Sequence, residues 1–180
     1  MRGHRWLQLL LVFCPVVLLA QDAQWVRPTY NFSSYELLIR RDLLQTGATF
    51  IFYDQNNSGL NGFYAPTCVA VLDGKQRILR NAIAINLDLV LLQGLSPNRI
   101  LAHELTHYRQ RLRSGSLQAY LREWRRQQRL PYELRPWERE AEEAELRAPV
   151  LVQIVGRRPR PAVSIVFESE PSGVAASDAR

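Results

Sequence analysis

Histidine, cysteine and lysine are scarce in this chain of 180 residues, which holds three, two and one of them. The single lysine is Lys75, so arginine is the default cation, and a cluster of seven arginines between Arg109 and Arg129 is less pointed than it looks. That weakens a nucleic-acid reading, and the N-terminus argues against it further. A basic patch facing an anionic cell surface is a better use of such a cluster. No internal repeat is visible. With 47% hydrophobic and 22% charged residues the composition is that of an ordinary globular protein. The length suits one domain with a real core.

The first residues read MRGHRWLQLLLVFCPVVLLAQDAQ. Arg2 and Arg5 precede an apolar run from Trp6 to Leu19, which Pro15 interrupts, and Ala20 offers a small residue for cleavage. This pattern predicts a secretory signal peptide over residues 1–20, with an uncleaved N-terminal anchor over 6–19 as the alternative. Either way the protein is expected outside the cytoplasm: secreted, periplasmic or at the cell envelope. Removing the leader lowers the formal charge from +6 to +4 and takes Cys14 and His4 with it. Cys68 is then alone, so an intramolecular disulfide is excluded although the compartment would permit one.

The two histidines that survive, His103 and His107, stand four apart in LAHELTHYRQ, residues 101–110. Ser96 and Pro97 predict the start of a helix there, and Ser114-Gly115 its end. Residues four apart on a helix are about 40° out of line and about 6 Å apart along the axis, so both imidazoles can reach one metal ion. Glu104 lies about 60° from His107 and flanks that face. It is placed to hold a water rather than to ligate, which is the physical content of H-E-x-x-H. Such a site needs one more protein ligand and an open position for water, whose proton a nearby carboxylate can take.

A second helix is expected from about Leu117 to Arg129, and a third opens at Pro136 with WEREAEEAELRA. The apolar face of this third helix is Trp137, Ala141, Ala144 and Ala148, and its alanines allow a close approach to the motif helix. Glu138 and Glu145 flank that face on one side and Glu140 on the other. Helical geometry alone leaves the third ligand open; acidic residues beyond Glu138 and Glu140 read as a solvated face.

LAHELTHYRQ, followed 31 residues after His107 by EREAE (Glu138 to Glu142), resembles the gluzincin type of zincin metallopeptidase, most like its small secreted bacterial members. The resemblance covers roughly residues 48–148. It implies a Zn2+ ion held by His103, His107 and Glu138, Glu104 as catalytic base, and a peptide or protein substrate. Family pattern, not geometry, selects Glu138, with Glu140 second. Arg109 and Glu142 depart from the pattern, which usually has an apolar residue and an aspartate there. Some gluzincins use a further histidine against the oxyanion; the mature chain has none, so Tyr132 is the first candidate for that catalytic role, with Tyr120 and Arg135 behind it. The competing reading is a degenerate zincin kept as a zinc-binding module of the cell envelope. Glu104 discriminates, since a binding module has no need of a base. Cys68, in PTCVAV, reads as a small buried strand residue rather than a zinc ligand.

The rest of the chain predicts an α+β, zincin-like fold: an N-terminal helix and a small antiparallel sheet packed on the helical half that bears the motif. Ser33 and Glu36 suggest a capping box opening a helix that Gly47 stops. ATFIFYD reads as a strand and QNNSGLNG as a loop. TCVAVL and QRILRNAIAIN form a hairpin around Asp73-Gly74. LDLVLLQGL is a short helix or a buried connector. NAIAIN, residues 81–86, is either an edge strand that holds an extended peptide or an ordinary core strand. Residues 21–155 should make one domain. A tail over 156–180 is expected to carry a strand at 162–168, in a hairpin with VLVQIV, and then to be disordered.

Overall fold

The computed structural model describes residues 24–54, 59–72, 75–159, 161 and 166–168. The leader, the Asp73-Gly74 turn and the end of the tail lie outside them. The fold is α+β, with two sheets and five α-helices among the described residues. No described helix is long and apolar enough to cross a membrane.

The first departure from expectation is at residues 33–47. In place of a helix stand strand β3 (Tyr35–Arg40) and a single-turn helix α1 (Arg41–Leu44). Tyr35, Leu37 and Ile39 are buried and Glu36 is exposed, the period of two that a half-buried strand requires. Ser33 is no N-cap: its hydroxyl is buried and donates to Asn31 Oδ1 at 2.7 Å. Short strand β1 (Trp25–Val26) pairs antiparallel with β3 on one side, and β7 (Val152–Arg157) does so on the other.

The second sheet has the order β2-β4-β6-β5-β8. β2 (Tyr30–Phe32), β4 (Thr49–Tyr53) and β6 (Lys75–Asn86) run parallel to one another. β5 (Gly62–Leu72) is antiparallel to β6, and β8 (Val166–Glu168) to β5. The sheet is therefore mixed rather than purely antiparallel. β7 and β8 do not form the expected hairpin, because each joins a different sheet. Asn98 grips the backbone of Leu151 and Val152, and Arg158 donates to the carbonyls of Asn31 and Ser33, which pins the end of β7 to β2 and the link that follows it. β7 thus runs past residue 155 as part of the folded unit.

Helix α2 (Leu87–Leu92) resolves the LDLVLL stretch, with Asn86 Oδ1 accepting from the Leu89 amide as its N-cap. Helix α3 (Pro97–Arg113) carries the histidines. Its Leu101, Ala102, Leu105 and Tyr108 enter the main core with Phe50, Phe52, Ile83 and Ile85 from β4 and β6, and Leu37 and Ile39 from β3. The other face of the same sheet buries Ile51, Tyr53, Cys68, Ala82 and Ala84. Helices α4 (Leu117–Gln127) and α5 (Pro136–Leu146) follow, joined by a short 3-10 turn at Tyr132–Leu134.

β6 is central. Ala82 pairs with Thr49 of β4 and with Ala65 of β5, so residues 81–86 have no free edge to offer a peptide. The first half of β5 lies beside α3, and among the described residues β8 covers β5 at Val69 to Val71 only. Gly62 permits that closeness: a Cβ there would stand 2.7 Å from Ile100 Cγ2 of α3.

Candidate metal centre

With the hydrophobic face of α3 turned into the core, His103 and His107 project from its opposite side. The two Nε2 atoms are 3.1 Å apart, and Glu138 Oε2 of α5 lies 3.5 Å from the first and 3.4 Å from the second. Nitrogens and oxygens about 2.0–2.2 Å from one tetrahedral ion are about 3.3 Å from each other. The triangle is thus of the size a small divalent cation requires, and two imidazoles with one carboxylate form a donor set that suits zinc.

Each ring is turned by a bond on its far side. His103 Nδ1 donates to Glu145 Oε1 at 2.8 Å, and His107 Nδ1 to Gln110 Oε1 at 2.9 Å. With Nδ1 keeping its proton, it is the Nε2 proton that a cation would displace, which turns that lone pair toward the triangle as a ligand needs. Gln110 is almost fully buried and uses its amide nitrogen as well, donating to the Trp137 carbonyl and to Glu140 Oε2. Glu145 also receives Arg99.

α5 is set in place from α4. The Trp137 amide, one of the unpaired N–H groups at a helix start, donates to Gln127 Oε1 at 3.0 Å. The Trp137 ring stacks on Tyr120 at 5.0 Å, and Ala141 is fully buried where α5 packs on α3. The residue just before Glu138 is therefore held by its amide, its carbonyl and its ring.

The geometry separates the two candidate glutamates. Glu138 faces the imidazoles. Glu140 points elsewhere, with its carboxylate on Arg113 and Gln110. Glu142 is exposed, and the bond to His103 that an aspartate at its position would make comes instead from Glu145, one turn farther on. Reading Glu145 as part of a solvated face was wrong. Its spacing is the signal that was available: seven residues is two turns, so Glu145 stands on the Glu138 side of α5. Gln110, three residues after His107, is likewise on the site face of α3.

Glu104 is buried and accepts from the Tyr64 backbone amide of β5. Burial pushes its carboxyl up from the usual range, and His107 and His103 pull against that. Burial alone would lower His103, but bonds to Glu138 and Glu145 outweigh it and raise the imidazole to about 10. Glu138 is pushed up by burial yet held well below the usual carboxylate range by the two histidines. Three carboxylates thus surround two imidazoles, and the cluster is built for positive charge.

Of the oxyanion candidates, Tyr132 bonds through its hydroxyl to Glu138 and is two-fifths exposed. Tyr120 is buried, and its hydroxyl feels Glu104 and Glu138. Arg135 sits over the Tyr132 ring at 5.6 Å and donates to the Leu130 carbonyl, so it braces Tyr132. Arg109 is exposed on another side of α3. Cys68 is on the far side of the sheet among apolar residues, and burial pushes its thiol up to about 11.

Searches of family models, of characterised proteins and of solved structures find no match to this chain.

Proposed function

We propose that this protein is a zinc-dependent peptidase of the zincin kind, with His103, His107 and Glu138 as ligands and Glu104 as general base. The observation that carries the reading is the convergence of three ligand atoms within 4.8 Å, two of them on rings whose tautomer is set by Glu145 and Gln110. When bound, zinc supplies a Lewis acid and brings the acidity of water near neutrality. Glu104 takes a proton on its carboxylate and delivers it to the departing amine. Its burial against β5 excludes bulk water, and the Tyr64 amide holds its orientation. Tyr132 at the rim and Tyr120 in the wall have hydroxyls on the site side and serve as donors to developing negative charge.

The substrate is a peptide or protein, met outside the cell or at its envelope once the leader has directed export. It enters beside the first half of β5. That edge is a poor template for a full β-ladder, since Pro66 has no amide hydrogen and the Tyr64 amide is engaged by Glu104. Side-chain contacts therefore carry much of the binding.

The alternative is a zinc-holding module without catalysis. The buried carboxylate of Glu104 favours the enzyme, since a buried acid that ligates nothing costs stability without a chemical return. The test is metal analysis of the mature chain, followed by a peptide-library assay of wild type and Glu104→Gln at equal zinc. One zinc per chain, and cleavage that the substitution abolishes, supports the enzyme. One zinc with equal cleavage by both proteins rejects Glu104 as the base, and no zinc after reconstitution rejects the metal centre.

A further inference from the structure

Arg111 lies four residues past His107 and seven past Glu104, so it continues the site face of α3 about 6 Å beyond the second histidine. Its charge reaches the hydroxyls of Tyr64 and Tyr120, and Tyr120 in turn feels Glu104 and Glu138. The rings there form an apolar wall: Tyr64 is 6.1 Å from Tyr120, edge to face, and 5.9 Å from Tyr108.

Two other arginines of α3 are engaged. Arg99 pairs with Glu145 and Arg113 with Glu140. Arg111 is half-buried and makes no hydrogen bond or ion pair among the described residues. Arg109 is also unpaired, but it is exposed and points away from the ligands. A guanidinium within electrostatic reach of tyrosine hydroxyls, partly out of water and without a carboxylate of its own, is suited to take one from a ligand in a two-pronged bond. An extended peptide advances about 3.3 Å per residue, so 6 Å along α3 is about two residues of substrate.

We propose that Arg111 is a specificity-determining residue that binds a substrate carboxylate one or two residues from the bond being cut. This rests on the peptidase reading of the metal site. The carboxylate is either the C-terminus of a peptide or the side chain of an acidic residue.

Three short peptide hydroxamates of matched length separate these sources: one with a free C-terminal carboxylate, one amidated, and one amidated with a glutamate two residues from the hydroxamate. Calorimetry measures their binding to zinc-loaded wild type, Arg111→Gln and Arg111→Glu, each checked for fold and zinc content. In the wild type one of the two acidic probes should bind on the order of ten- to a hundredfold more tightly than the neutral one, as a charge-assisted hydrogen bond implies. Arg111→Gln should erase that preference and Arg111→Glu reverse it, with the neutral probe nearly unaffected. Equal binding of all three probes by the wild type, or a preference that survives in Arg111→Gln, overturns the role of Arg111 while leaving the metal site standing. Failure of every probe to bind overturns the peptidase reading, and this inference with it. Equal binding of the three probes by the wild type overturns the proposal even where a variant does not fold.

Discussion

One face of α3 is held by packing and the other by hydrogen bonds. Leu101, Leu105 and Tyr108 belong to one buried core that draws residues from both sheets. His103, His107 and Gln110 meet polar partners in a fixed order: proposed ligand atom, then the group that turns it, then the group that steadies that one. Packing is shared among many neighbours, so damage to it spreads through the fold. A bonded chain has a direction, so damage to it should be graded by distance from the centre. Chemistry and stability can then be lost separately on a single helix.

The sharpest way to break this comparison is at Glu104. Glutamine keeps its size and its bond from the Tyr64 amide but cannot take a proton. Glu104→Gln should lower peptide hydrolysis by about 10²–10⁴-fold with zinc content and thermal midpoint unchanged. On the opposite face Leu105→Ala should do the reverse, costing about 2–5 kcal/mol in denaturant unfolding while the folded fraction keeps its zinc stoichiometry. Should Glu104→Gln unfold the protein, or Leu105→Ala strip the metal without unfolding it, the two faces are not independent.

Within the bonded face the effects should step down. Glu138→Ala removes a ligand atom and should weaken zinc binding, measured by chelator competition, by more than about a hundredfold. Glu145→Gln weakens the acceptor of the His103 Nδ1 proton, and Gln110→Ala removes that of His107; each should weaken zinc by about 10–100-fold. Glu140→Ala should cost less than any of these, because its carboxylate reaches the centre only through Gln110 and otherwise pairs with exposed Arg113. Near-equal losses for Glu138→Ala and Glu140→Ala would mean that the ligand is misassigned.

The same contrast explains what could be read from the amino-acid order. The helical half was legible because its signals are local: Pro97 and Pro136 open helices where expected, Gly115 closes one, and the spacing of His103 and His107 follows from 3.6 residues per turn. The strand half was not. Ser33 and Glu36 have the spacing of a capping box, yet the segment is a strand because Tyr35, Leu37 and Ile39 are claimed by partners more than a hundred residues away in β7. The expected hairpin of β7 and β8 failed for the same reason, since a strand's neighbour is chosen by tertiary contacts that no short window holds. At the site, the candidate ligands stood out as a motif, whereas Glu145 and Gln110 were hidden among many similar residues. Only the approach of α5 to α3 shows which glutamate meets which ring.

The smallest expected effect sharpens the grading most. Arg99 bonds Glu145 at 3.1 Å, and Glu145 bonds His103, so Arg99 stands two steps from the ligand atom. It is half exposed, and ion pairs in that setting contribute about 0–1 kcal/mol because water and salt screen them. Glu145 also keeps its bond to His103 without help, since the imidazole is the closer partner. Arg99→Ala should therefore shift zinc affinity by no more than about fivefold. That is well short of the loss in Glu145→Gln, and the shift should fade further in high salt. Chelator competition at low and high ionic strength reads both. If Arg99→Ala costs as much as Glu145→Gln, the three residues act as one unit rather than in steps. The bonded face of α3 would then resemble the packed face in the one respect that was meant to tell them apart.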